Sequence, residues 1–277
     1  MATGAERGER IGAGDALPAA VAQLLGAFDE GDAERAAAAF APDATYAYPT
    51  VETDEVAPRT VAPAAQIRTA LAADPHLGDP HAVRVCCVEG ADCLIEGRIL
   101  DPVTKAPIRS FAASLQLDRP GSIGRCLLFR VPVVEDAGRA GEPDACGTDI
   151  RRALDEYFAD LQAARFEAAT GNYSADCLYS HPPYSPGAER AEFRGRAELL
   201  AGFEARGPRP ARIFIDRSIQ LGADLMLEGH AFSDGTAGGP ASSFVSSVSI
   251  DAAGKIRRYV AFQCRGWERR RDTDGDR

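Results

Sequence analysis

An internal repeat constrains this chain more than any other feature. The run Phe40-Ala-Pro-Asp43-Ala-Thr-Tyr46-Ala-Tyr48-Pro49 answers Tyr173-Ser-Ala-Asp176-Cys-Leu-Tyr179-Ser-His181-Pro182 at an offset of 133 residues. Further on, Gly90-Ala-Asp92-Cys-Leu-Ile-Glu96-Gly97 answers Gly222-Ala-Asp224-Leu-Met-Leu-Glu228-Gly229 at 132, and Ser110-Phe111 answers Ser243-Phe244 at 133. Three matches in one order imply two copies of one domain, because solenoid repeats run to only about 20 to 50 residues. A chain of 277 residues, 45% of them hydrophobic, has enough apolar material for two medium cores. The stretch Glu135 to Thr148 carries Gly, Pro and charge without apolar periodicity, as a linker does. The expected domains are therefore residues 15–135 and 148–268.

Each half opens with apolar residues at helical spacing: Val21, Leu24, Leu25 and Phe28 in the first, Ile150, Leu154, Tyr157 and Leu161 in the second. A short second helix is expected near 33–40 and 166–173, and a third near 64–72 and 196–205. Stretches rich in β-branched and aromatic residues follow, among them Val83–Val88, Ile213–Ile219, Ser243–Ile250 and Ile256–Phe262. Turns at Glu89–Asp92, Asp118–Gly121, Leu221–Asp224 and Asp251–Gly254 join them into antiparallel meanders. Helices first and sheet after define an α+β class.

The charge balance is 31 basic against 41 acidic residues, and the basic ones are scattered except at Arg269-Arg270-Arg271, which argues against nucleic acid as a partner. No run approaches the roughly 20 apolar residues of a membrane span, and the segment Met1–Gly14 is unlike a signal peptide, so no membrane partner and a cytoplasmic location are expected. Seven cysteines (86, 87, 93, 126, 146, 177, 264) lack CxxC spacing and mostly sit in strand-like runs, which reads as buried reduced thiols. No zincin or cysteine–histidine spacing, Walker loop or dinucleotide glycine motif occurs, so neither metal nor nucleotide cofactor is expected.

The order of a helix, Phe28-Asp-Glu-Gly-Asp32, the turn Phe40–Ala44, and a short strand ending before Pro49 resembles the opening of nuclear transport factor 2-like domains, and the second half repeats it. The resemblance covers nearly all of residues 15–135 and 148–268. It implies two tandem cone-shaped α+β barrels, each a curved antiparallel sheet wrapped around three N-terminal helices and enclosing a conical pocket. The superfamily includes ketosteroid isomerases, SnoaL-like polyketide cyclases, scytalone dehydratase and limonene epoxide hydrolase, so the motifs speak for the fold more than for any one activity.

By that resemblance, the position before the proline closing the first strand is where ketosteroid isomerase carries its general base; in the second half it is His181. The family's oxyanion-binding tyrosine stands 24 residues upstream, and here that position is Tyr157. The family's protonated aspartic acid on a late strand corresponds to Ser246, a weaker donor. Tyr179, Tyr184, His230 and Phe203 are further candidates to line the pocket. The chemistry is coherent in its own terms: a histidine of ordinary pKa near ~6.5 accepts protons near neutrality, and a phenol stabilises an enolate. A cofactor-free isomerase, cyclase or dehydratase acting on a small apolar carbonyl metabolite is the expected function. A histidine in the base position lowers the epoxide hydrolase reading.

Blander readings stand beside these. His181 before Pro182-Pro183 suits a strand-end histidine bonded to backbone, Tyr157 suits a core tyrosine, and Ser246 lies in a serine-rich strand. Glu228 is repeated by Glu96, which favours a structural ion pair, and His76 and His81 beside a Gly-Asp-Pro loop are expected to meet solvent. In the first half the site positions are Leu24, Tyr48 and Ala113, with no base and no helix-borne phenol. That half is expected to be a catalytically mute, built-in partner of the second, in an intrachain pseudo-dimer with room for further homo-oligomerisation. The rival classes are a small-molecule binding or scaffold protein with the same pocket, and an interaction module whose pocket is filled.

Overall fold

A computed structural model describes residues 17–49, 59–118, 121–135, 150–184, 188–208, 211–233 and 242–265. They divide into two units that separate between Val133 and Val134. The expected linker lies almost wholly outside the described residues.

In the first unit, helices α1 (Ala19–Asp29) and α2 (Ala33–Ala37) precede strands β1 (Phe40–Tyr48) and β2 (Arg59–Val61). Helix α3 (Ala64–Ala72) follows, and then strands β3 (His81–Glu89), β4 (Asp92–Leu100), β5 (Pro107–Leu117) and β6 (Ile123–Val131). The second unit repeats the order: α4 (Ile150–Gln162), α5 (Phe166–Gly171), β7 (Tyr173–His181), β8 (Ala191–Arg194), α6 (Arg196–Arg206), β9 (Ala211–Leu221), β10 (Asp224–Ser233), β11 (Ser242–Ile250) and β12 (Ile256–Arg265). Each unit holds one six-stranded sheet, in the orders β2-β1-β6-β5-β4-β3 and β8-β7-β12-β11-β10-β9. The α+β class is the architecture observed. One pairing departs from the antiparallel expectation: the first strand of each unit lies parallel to the last, β1 beside β6 and β7 beside β12, so both sheets are mixed.

The helices dock through the expected stripes. Val21, Leu24 and Phe28 are buried on α1 at i, i+3, i+7, and Ile150, Leu154, Tyr157 and Phe158 on α4 at i, i+4, i+7, i+8, spacings that line one helical face. Asp32 caps α2 by accepting the Arg35 amide at 2.9 Å. The hairpins β3–β4 and β9–β10 close on Gly90-Ala91 and Gly222-Ala223, with each glycine at φ +59°, where a side chain would be strained.

A second repeated glycine bends the sheets. Ladder register slips between Val83 and Val85 in the first unit and between Glu228 and Gly229 in the second. A Cβ on Gly97 would meet Ala82 O at 2.5 Å and the Phe111 ring at 2.6 Å; one on Gly229 would meet Phe214 O at 2.3 Å and the Phe244 ring at 2.7 Å. Only glycine lets the ring of the neighbouring strand lie flat there, and in the second unit that ring forms part of a cavity wall.

Buried polar groups follow the repeat as well. Glu96 is fully buried and pairs with Arg84 at 2.9 Å, while Glu228 stands opposite Arg217 in the β9–β10 ladder. His76 and His81 correct the solvent expectation. His76 is 8% exposed with Nδ1 2.9 Å from Asp79, and His81 Nδ1 lies 2.8 Å from Asp29, an acid 52 residues earlier in the chain. Six of the seven cysteines are described, and all six are buried; Cys146 lies outside the described residues. No helix among the described residues is long and apolar enough to cross a membrane.

Candidate functional site

Strand alternation builds the second unit's site. On β7, Tyr179 and His181 share the inner face, and on the parallel neighbour β12, Tyr259, Ala261 and Gln263 share it, with Tyr259 in register with Tyr179. The tyrosine rings stack at 5.3 Å and 11°, and the His181 ring continues the stack on Tyr179 at 5.9 Å and 1°. Helix α4 brings Tyr157 over this layer, 5.9 Å from the Tyr259 ring. Between helix and sheet lies a cavity of about 260 Å³, whose wall includes Tyr157, Phe158, Tyr179, His181, Tyr184, Arg206, Phe244, Tyr259 and Gln263.

At His181, Nδ1 lies 2.8 Å from the Pro182 carbonyl oxygen. A carbonyl only accepts, so Nδ1 carries the proton and donates it, and Nε2 is the basic nitrogen of the neutral ring. Pro182 thus fixes the tautomer, and the turn geometry that made His181 look structural also gives the ring its polarity. Burial pushes the Tyr157 and Tyr179 hydroxyls well above the ordinary phenol range, with neighbouring tyrosines adding to the shift. Burial also raises Tyr259, to about 12, against the opposing hydrogen bond of Ser246. These phenols remain protonated near neutrality, as hydrogen-bond donors must. Tyr184 donates from its hydroxyl to that of Tyr179 at 3.3 Å, which carries the polar chain towards Arg206.

His181, Tyr157, Tyr179 and Tyr184 are brought together on one cavity wall. Three other expected residues are not on it. Ser246 is fully buried beneath the wall, with its hydroxyl 3.2 Å from that of Tyr259, so it supports a tyrosine rather than facing the cavity. Phe203 packs behind the wall, 5.4 Å from the Tyr179 ring and 6.4 Å from Tyr157. His230 does not line the cavity, although its β10 neighbours Ala231 and Phe232 do; its Nδ1 lies 2.9 Å from Asp216 and its ring stacks on Phe214 at 5.3 Å.

Tyr259 and Arg206 are two of the wall residues that escaped sequence reading. Tyr259 sits in Ile256–Phe262, where Val260 and Phe262 on the other face are as apolar as their neighbours, so no alternation marks the inward side. Arg206 ends α6 and reads as a solvated helix-end cation, yet it lies over the rings of Phe203 (4.8 Å), Tyr184 (5.1 Å) and Phe166 (5.8 Å).

The equivalent space in the first unit is about 40 Å³, lined by Leu24, Phe28, Tyr46, His81, Phe111, Cys126, Leu128 and Arg130 among others. Arg130 donates from Nη2 to Asp74 at 2.7 Å, and both side chains are almost wholly buried. Among the described residues of either unit, no group of three or more His, Cys, Asp or Glu residues could hold a metal ion.

No family model and no curated protein matches the chain. Solved structures do. An NTF-2 like protein of unknown function from Burkholderia xenovorans is 23% identical over 44% of this chain and 87% of its own, with a TM-score of 0.35. An NTF2-like protein of unknown function from Cytophaga hutchinsonii is 13% identical over 42% and 89%, TM-score 0.33, and an LEH-like epoxide hydrolase from M. tuberculosis is 17% identical over 41% and 81%, TM-score 0.33. Each of these covers less than half of the chain, and the chain itself carries two six-stranded sheets in a tandem arrangement of one α+β fold.

Proposed function

We propose that the second unit is a cofactor-independent enzyme acting on a small, mostly apolar carbonyl compound by proton abstraction, as an isomerase, cyclase or dehydratase does. The observation that carries this reading is the cavity of about 260 Å³, with a histidine of fixed tautomer and protonated phenols on one otherwise largely apolar wall. His181 Nε2 takes the proton next to the carbonyl. The carbonyl oxygen, gaining negative charge, accepts hydrogen bonds from Tyr157 and Tyr259. Ser246 holds the Tyr259 hydroxyl in place. The low-dielectric wall strengthens those bonds, since few water dipoles compete with them.

The experiment is solvent exchange. In deuterated water, apolar ketones and keto acids are incubated with the full chain, and loss of the α-proton signal is followed by NMR. His181→Ala is expected to slow exchange roughly 100-fold, the scale of a removed general base. A variant that exchanges at the parent rate would end the assignment and leave a small-molecule binding protein as the better reading. The placement of Ser246 beneath the wall, away from the position in which the resemblance would make it a donor to the ligand, favours that second reading.

A further inference from the structure

We infer that the ligand of the second unit's cavity is an anion, a small apolar carboxylate whose charged end is received by Arg206. Three observations converge on this. Arg206 lines the cavity, and its guanidinium is fixed over Phe203, Tyr184 and Phe166, so its direction is set before any ligand arrives. Among the described residues no Asp or Glu stands on the cavity wall and Arg206 has no ion pair; its one hydrogen bond there goes from Nε to the carbonyl of Gly207 at 3.4 Å, at the edge of bonding distance. A half-buried guanidinium without a carboxylate is unusual, because its planar fork matches a carboxylate two bonds at a time.

The position of Arg206 also orders the ligand. Tyr184 neighbours both groups, with the guanidinium 5.1 Å from its ring centre and the His181 ring at 5.1 Å. A carboxylate held at Arg206 therefore places the ligand's apolar body against Phe244, Phe158 and the tyrosines, within reach of His181. The substrate class becomes a keto acid, or a carboxylate of similar build, rather than a neutral ketone. A cavity of this volume is near the lower bound of small-molecule sites and suits a ligand of about a dozen heavy atoms.

This inference rests on the proton-transfer reading only for which ligand carbon reacts; its test is binding, so the two fail separately. The probes are β-benzoylpropionate and its methyl ester, which share an aryl ketone and differ in charge. Isothermal titration calorimetry with the full chain is expected to show the acid binding roughly tenfold or more tightly than the ester, the scale of one charge-assisted contact. Arg206→Gln should abolish that preference while ester affinity stays within about threefold. Arg206→Lys, which keeps the charge but loses the fork, should retain part of it. His181→Ala should retain the acid preference even if it abolishes exchange. Circular dichroism melts establish that the Arg206 variants are folded, and Arg206→Lys carries the test if Arg206→Gln is not. Equal affinity for the two probes, no measurable binding of either, or an acid preference that survives Arg206→Gln would overturn the proposal.

Discussion

The two units share one fold and differ in what fills it. In the second, a cavity of about 260 Å³ lies between α4 and the sheet; in the first, the equivalent space is about 40 Å³. Aligned side chains account for the difference. Ala261 in the open unit answers Leu128 in the closed one, Gln263 answers Arg130, and Ile213 answers His81. Arg130 turns inward over Phe28 to reach Asp74, and His81 turns inward to Asp29 between the Phe28 and Phe111 rings. The first unit spends its polar groups on each other. The second leaves a histidine, several phenols and a guanidinium on the wall of a cavity.

The comparison breaks most severely at the buried ion pair. Asp74→Ala leaves Arg130 buried without its carboxylate and should cost the first unit about 3 to 5 kcal/mol, read in a denaturant titration of the whole chain. A loss below about 1 kcal/mol would remove the pair as the reason that space is closed. Importing the first unit's bulk into the second should close the second: Ala261→Leu is expected to weaken binding of an apolar keto acid roughly tenfold or more, with a stability change of only about 1 to 3 kcal/mol. Unchanged affinity would mean that Leu128 is not what narrows the first cavity.

Smaller effects sharpen the contrast. Ser246→Ala installs the first unit's Ala113 and removes one hydrogen bond from Tyr259, at about 1 kcal/mol of stability, with exchange slowed rather than abolished. Loss of all exchange would put Ser246 itself at the reacting atoms. The alkaline limb separates the units too. Burial raises four tyrosines of the second unit, Tyr157, Tyr173, Tyr179 and Tyr259, the last to about 12, and Cys177 to about 11; in the first unit it raises Tyr46, and Cys126 to about 12, while the Cys86 hydrogen bond together with burial raises Cys93. Each stays protonated in the folded protein where the unfolded chain would release its proton, so this stability is complete below pH about 10 for the phenols and is lost as pH rises towards 12. Denaturant titrations across that window should show the second unit's transition falling more steeply with pH; equal slopes would contradict the account of the tyrosine cluster.

Much of the fold was legible because its signals are periodic. The spacing of Val21, Leu24 and Phe28 and of Ile150, Leu154 and Tyr157 sets a helix face whatever surrounds it, and the repeat fixes the order of elements twice. The parallel closure of β1 on β6 was not legible, since it joins the ends of a unit and no local propensity encodes a partner about 80 residues away. Of the candidate site, the family resemblance points to His181 and Tyr157, which both line the cavity, whereas His230, also expected there, does not line it. His81 looked like a loop histidine because its acid, Asp29, belongs to another element. Arg206 was hard to read because helix spacing places only Phe203 beside it, and the fold brings in Tyr184 and Phe166 from other segments.

The most direct test of the central claim is α-proton exchange of β-benzoylpropionate in deuterated water, followed by NMR, with the full chain and its His181→Ala and Asp74→Ala variants compared side by side. The account predicts exchange by the parent chain, a roughly 100-fold loss on removing His181, and near-parent exchange when the first unit's ion pair is removed under conditions where the second unit stays folded. Exchange that survives His181→Ala but disappears with Asp74→Ala would place the chemistry in the first unit and contradict it.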